Sequence, residues 1–63
     1  MNINSASKEE LDAVPLLKGH GHEIVRFREE RGGFPSLREL EEVPGLTGKL
    51  DIVGLERLGL TAD

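Results

Sequence analysis

Two turns hold the residues of this chain that could meet a ligand. The first reads Val14-Pro15-Leu16-Leu17-Lys18-Gly19-His20-Gly21-His22, and the second Val43-Pro44-Gly45-Leu46-Thr47-Gly48-Lys49-Leu50. Each carries glycine and lysine and no carboxylate along its own sequence, so each suits an anion better than a cation. Catalytic chemistry finds no such footing. No nucleophile–base pair, no glycine loop of nucleotide type and no carboxylates at metal spacing are present, so the expectation is a binding module, not an enzyme. No cofactor is expected either. His20 and His22 are two positions apart, which turns their rings to different sides of a helix. With no third ligand nearby in sequence, a metal is not expected there.

The elements that must position these turns repeat. Ser7-x-x-Glu10-Leu11-x-x-Val14-Pro15-x-Leu17-x-Gly19 returns 29 residues later as Ser36-x-x-Glu39-Leu40-x-x-Val43-Pro44-x-Leu46-x-Gly48. Such a match predicts one supersecondary unit built twice. Repeat 1 spans about residues 7–31 and repeat 2 about 36–60, in one domain covering 1–63. Ser7 with Glu10, and Ser36 with Glu39, each have capping-box spacing, in which serine accepts from the third amide and glutamate reaches back.

A helix is therefore expected from Lys8 to Val14, ended by Pro15, because a residue before proline is pushed out of helical geometry. A second runs from His20 to Arg31, burying Ile24 and Phe27 with Val25 at its edge. Gly32-Gly33 stops it, since glycine takes the left-handed position without strain. The third spans Leu37 to Val43 and buries Leu37, Leu40 and Val43. A last helical stretch starts at Gly48, with Gly54 expected to weaken or break it. Met1 to Ser5 and Thr61 to Asp63 read as loose ends, apart from Ile3, which anchors the N-terminus to the core. No strand pattern competes, so the fold class is all-α, with four to five short helices.

Size and charge narrow the function. A domain of 63 residues buries only about 60% of its unfolded surface, which leaves little room for a walled active site. There is no cysteine for a disulfide or a thiolate metal site, and the two aromatics are both Phe, too few for base stacking. No apolar run reaches the roughly 20 residues that span a bilayer, and no signal peptide is expected. Net charge is -4, but the acids crowd into Glu9-Glu10-x-Asp12, Glu29-Glu30 and Glu39-x-Glu41-Glu42, away from the turns. Lys18 and Lys49 are the turn cations, or else plain solvated lysines. Arg26, Arg28 and Arg31 lie along the second helix, where Arg28 is expected to pair with an acid or lay its stem on apolar surface.

Assembled in order, these features resemble a known family. Asn2-Ile3-Asn4-Ser5-Ala6-Ser7-x-Glu9-Glu10-Leu11, Ile24-Val25-x-Phe27-Arg28-Glu29-Glu30-x-Gly32-x-Phe34-x-Ser36-Leu37 and Val43-Pro44-Gly45-Leu46 look like the competence-type, ComEA-like helix-hairpin-helix proteins of bacterial DNA uptake. The resemblance runs to about Lys49. It implies two hairpins packed as one compact (HhH)2 domain, SAM-domain-like, that binds double-stranded DNA without sequence preference. It further implies protein partners in an uptake machinery and, where a parent chain has an anchor, a place on the outer face of the inner membrane. The implied contact is physical: hairpin amides without intrahelical partners point at a phosphate, and the helix dipole adds partial positive charge. Gly45, Leu46, Thr47, Gly48 and Lys49 would form one contact, and Lys18, Gly19, His20 and Gly21 the other.

The turns depart from that family's Pro-Gly-Ile-Gly-Pro pattern. Pro15-Leu16-Leu17-Lys18-Gly19 lacks both usual glycines, whereas Pro44-Gly45-Leu46-Thr47-Gly48 keeps the first, so the second hairpin is the stronger candidate. The extrinsic photosystem II subunit PsbU, a structural protein, is similar in its double hairpin with degenerate turns. A non-DNA-binding interaction module is the alternative.

Overall fold

A three-residue period organises the core. In the computed structural model, which describes residues 1–63, Leu11, Val14 and Leu17 are buried, and so are Leu37, Leu40, Val43 and Leu46. Both series are tied by bonds from each amide to the carbonyl three residues back. Val14, Leu17 and His20 donate to Leu11, Val14 and Leu17 at 3.1, 2.9 and 2.9 Å, and Val43, Leu46 and Lys49 to Leu40, Val43 and Leu46 at 3.1, 3.0 and 3.1 Å. Three residues per turn is 3₁₀ winding, which stacks every third side chain in one line. The repeat seen in sequence is thus a repeat of backbone hydrogen bonds.

Helix α1 spans Lys8–Asp12 and opens with the expected capping box. The Glu10 amide donates to Ser7 Oγ at 3.1 Å, and Glu10 Oε1 accepts from the Ser7 amide at 2.8 Å. It stops short of Val14 because Val14, before Pro15, is already extended, and a 3₁₀ turn, Pro15–Leu17, takes over. Helix α2 spans Gly21–Arg31, with His20 as its N-cap and Gly32 in the left-handed conformation at its end. Ile24 is fully buried as expected. Phe27 is only partly buried and stacks on the buried Phe34 at 5.5 Å, with the Arg31 guanidinium 4.8 Å from its ring centroid.

The second repeat differs from expectation in four ways. Leu37–Glu42 is a 3₁₀ helix, and its serine does not cap it: the Ser36 hydroxyl donates to the Glu39 carboxylate, so the Glu39 amide bonds the Ser36 carbonyl at 3.2 Å instead. An i→i−3 first turn follows, and the leucines at a three-residue spacing keep it. Helix α3, Ile52–Arg57, begins later than Gly48, where Asp51 caps it by accepting from the Gly54 amide at 3.0 Å. Gly54 does not break α3, because that cap holds its amide. The helix closes through Gly59 at φ 88°, with Gly59 bonding the Glu56 carbonyl at 3.0 Å and Leu60 that of Leu55 at 3.1 Å.

The ends are paired, contrary to the sequence expectation. Asn2 and Thr61 form an isolated parallel bridge. Ile3 donates to the Thr61 carbonyl at 2.9 Å, and Thr61 to that of Met1 at 2.8 Å. Burial of Ile3 and Leu60 draws both ends to one place, where their backbone groups must find partners. Asn4 extends the clasp, its Nδ2 donating to the Phe34 carbonyl at 2.9 Å and to that of Asp63 at 3.0 Å. Arg28 pairs with no acid. Its Nη1 donates to the carbonyls of Ile3 and Ala6, at 2.9 and 2.8 Å, and so ties α2 to the N-terminal segment.

Candidate nucleic-acid interface

The two turns lean on each other's helices. Leu16, in the first hairpin, lies against the opening of α3: a Cβ built on Gly54 would stand 3.3 Å from Leu16 Cδ1. Gly45, in the second hairpin, lies against the opening of α2: a Cβ there would stand 3.3 Å from Glu23 Oε2 and 3.5 Å from His20 Cε1. Leu16 and Gly45 occupy equivalent places in the repeat. The contact is therefore reciprocal, as a pseudo-two-fold relation requires, and both hairpins with both helix openings gather at one end of the molecule. This brings Lys18, Gly19, His20 and Gly21 together with Gly45, Leu46, Thr47, Gly48 and Lys49.

Their environments differ. Lys18 and Lys49 are exposed and enter no ion pair. Gly19 at φ 85° and Gly48 at φ 72° are left-handed, with nothing within 4 Å of the place a Cβ would take, so both turns present open backbone to solvent. Leu46 is buried and serves the core rather than the surface. Thr47 Oγ1 donates to the Glu41 carbonyl at 2.7 Å and braces the second turn from below. The amides of Thr47 and Gly48 have no acceptor within the fold. His20 is half-buried, with Nδ1 2.8 Å from Glu23 Oε1.

Gly21 has a different task from Gly48. It is buried, and a Cβ there would meet the Lys8 carbonyl oxygen at 2.5 Å and Asp12 Oδ1 at 2.6 Å. Its lack of a side chain lets α1 pack on the first turn of α2, an approach between helices rather than toward a ligand.

Three carboxylates that lie outside the turns in sequence belong to the site in space. Asp12 comes in from α1, and its Oδ1 accepts from the Gly21 amide at 2.8 Å. That amide holds the Asp12 carboxyl below its ordinary range, against desolvation that pushes the other way and with help from Lys8, whose Nζ is 3.4 Å from Oδ2. Glu23 comes in from the first turn of α2, and Asp51 sits at the opening of α3. Turns without acids in sequence therefore have acids around them once folded. Asp51 was legible as a cap, standing just before Ile52; the Asp12–Gly21 bond spans two elements and leaves no local signal.

Residues 1–50 match the helix-hairpin-helix motif family. Comparison with curated proteins and with solved structures gives no match.

Proposed function

The chain belongs to the helix-hairpin-helix motif family, whose motif is generally nucleic-acid binding, and on that premise we propose that it binds double-stranded DNA through phosphates, without reading bases. The observation that carries this reading is the reciprocal packing that sets two hairpins side by side, each with an unpaired lysine. Open amides at Thr47 and Gly48 add donors for a phosphate oxygen. Such contacts fix a protein on the backbone and carry no sequence information. The resemblance to competence DNA receptors extends the proposal to DNA uptake, with partners in an uptake machinery. In this reading the chain contributes binding and no chemistry of its own.

A second reading, a protein-docking module, has its own support. Leu16, Val53 and Leu58 are large apolar side chains at 42, 55 and 53% exposure, and Leu16 adjoins α3. One titration separates the two readings. Fluorescence anisotropy with a short duplex of arbitrary sequence should show binding that weakens about 40-fold between about 20 and about 150 mM salt, if two phosphates are neutralised at a slope of about 0.9 each. Lys18→Glu with Lys49→Glu should abolish it while leaving the fold intact. Absence of binding at the lower salt would refute the DNA reading and favour docking.

A further inference from the structure

Some of the chain's lysines and arginines are held within the fold and others are not. Lys8, Arg26 and Arg31 enter ion pairs, and Arg28 grips two backbone carbonyls. Lys18, Arg38, Lys49 and Arg57 make no ion pair, and all four are exposed. Two of these are the hairpin lysines. Arg57 is on α3, and the packing of the hairpins brings it beside them.

The two helices that receive the hairpins correspond cap to cap. His20 caps α2 and Asp51 caps α3. Three residues on stand Glu23 and Gly54, against which Gly45 and Leu16 of the opposite hairpins rest. Three further on come Arg26 and Arg57, on the same faces, because residues three apart are neighbours on a helix. Helical side chains lean toward the helix N-terminus, so Arg57 covers the turn on which Leu16 rests. The two arginines have different surroundings. Arg26 Nε is 3.6 Å from Glu30 Oε2, and Glu23, Glu30 and Glu42 share its cavity. Four places beyond Arg57 stands Thr61, uncharged and past the end of α3. The Asp51 carboxylate is turned to the Gly54 amide at 3.0 Å, and Glu56, one position from Arg57, does not face it.

Resting on the DNA reading above, we propose that Arg57 meets a third phosphate, next to the one that Lys18 meets, and carries the duplex footprint from the first hairpin onto α3. A guanidinium suits the task, being always charged and able to give a phosphate two parallel N–H bonds. The contact belongs to a side chain and asks nothing of the hairpin amides.

Salt dependence reads it directly. Two lysines alone give a loss of about 40-fold between about 20 and about 150 mM salt, and a third phosphate raises it to about 230-fold. Anisotropy titration of Arg57→Gln with the same duplex should return the loss to about 40-fold, so that the advantage of the unaltered protein is about sixfold greater at the lower salt. Arg57→Lys should keep the steep dependence. Arg38→Gln is the matched control: it removes one unpaired cation from the 3₁₀ helix Leu37–Glu42, at the end away from the second hairpin, and should also keep it. Arg57 lies in the last turn of α3, where a cation favours the helix dipole; that role alone would lower Tm and leave the salt dependence unchanged. An unchanged salt dependence in Arg57→Gln, or an equal fall in Arg38→Gln, would overturn the proposal and leave the DNA reading standing. An unaltered protein that binds no duplex at about 20 mM salt would overturn both.

Discussion

Gly21→Ala should cost this domain about a third of its stability, and the reason is not a ligand. The new methyl would lie 2.5 Å from the Lys8 carbonyl oxygen and 2.6 Å from Asp12 Oδ1, where ordinary contact begins at 3.4 Å. The Asp12 side chain can rotate away, but the Lys8 carbonyl belongs to the backbone of α1. That helix is pinned by its capping box and by the fully buried Leu11, so a retreat of most of an ångström opens the core around it. Overpacking typically costs about 1–3 kcal/mol, and a backbone opponent puts this case in the upper half. The better helix propensity of alanine returns less than about 1 kcal/mol. A net loss of about 2 kcal/mol remains, against a total of roughly 3–9 kcal/mol for a chain of this length. Tm should fall by roughly 8–16 °C, read by circular dichroism, with urea unfolding as a check. Gly54→Ala is the matched control. Its closest atoms, Asp51 Oδ2 at 2.6 Å, Asp51 Cγ at 2.9 Å and Leu16 Cδ1 at 3.3 Å, all sit on side chains that can move, so its loss should be less than half as large. A Gly21→Ala protein as stable as the original, or no worse than Gly54→Ala, would refute the packing argument and return Gly21 to the ligand side.

Two further outcomes follow from the same geometry. Arg28→Met keeps the apolar stem but leaves the Ile3 and Ala6 carbonyls without their guanidinium donor; a loss of about 2 kcal/mol is expected, with faster hydrogen exchange at Ile3 and Thr61. Acid should weaken the fold through Glu10 and Asp12, whose carboxyls are held low by the Ser7 and Gly21 amides respectively. Because the folded values lie below the unfolded ones, this stabilisation is complete above the ordinary carboxylate range and fades as pH falls through the folded values. Asp12→Asn should flatten that limb of a Tm-against-pH curve, and an unchanged limb would show that the bond to Gly21 is not made in solution.

The helical class, both turns and most of the core were legible because they are written locally. Capping at Ser7, the stops at Pro15 and Gly32, and the leucine spacing each act within a few residues. What escaped was non-local or a matter of winding. The three-residue spacing of Leu37, Leu40, Val43 and Leu46 is plain in the sequence, but it reads as one face of an α-helix until the hydrogen bonds are known. Ser36 has the spacing of a capping box, yet its hydroxyl turns to the Glu39 side chain. The clasp between residues 1–5 and 59–63 joins segments almost a whole chain apart, and polar ends with one isoleucine carry no sign of it. Asp12 reads as a solvated acid for the same reason: its partner lies nine positions on, across a turn.

The charge around the hairpins limits how the module can bind. Two lysines, Lys18 and Lys49, share that end with three carboxylates, Asp12, Glu23 and Asp51, so the local balance is not positive. Long-range attraction cannot then supply the affinity, because DNA meets nearly equal opposite charges beyond a Debye length of about 8–10 Å. What distinguishes the site is direction. The carboxylates are engaged, Asp12 with Gly21, Asp51 with Gly54 and Glu23 with His20, while both lysines and the Thr47 and Gly48 amides are free to turn outward. Binding of this kind is short-ranged, slow to find its target by steering and dependent on an intact turn geometry. Gly48→Ala tests that dependence directly. At φ 72° with open space around it, alanine costs only about 1–2 kcal/mol of backbone strain, but any relaxation of that strain re-aims the Gly48 amide. Duplex affinity should fall several-fold more for Gly48→Ala than for Gly19→Ala, because the second hairpin keeps the Pro44-Gly45 opening that the first lacks. The reverse order would mean that the first hairpin, not the second, holds the DNA.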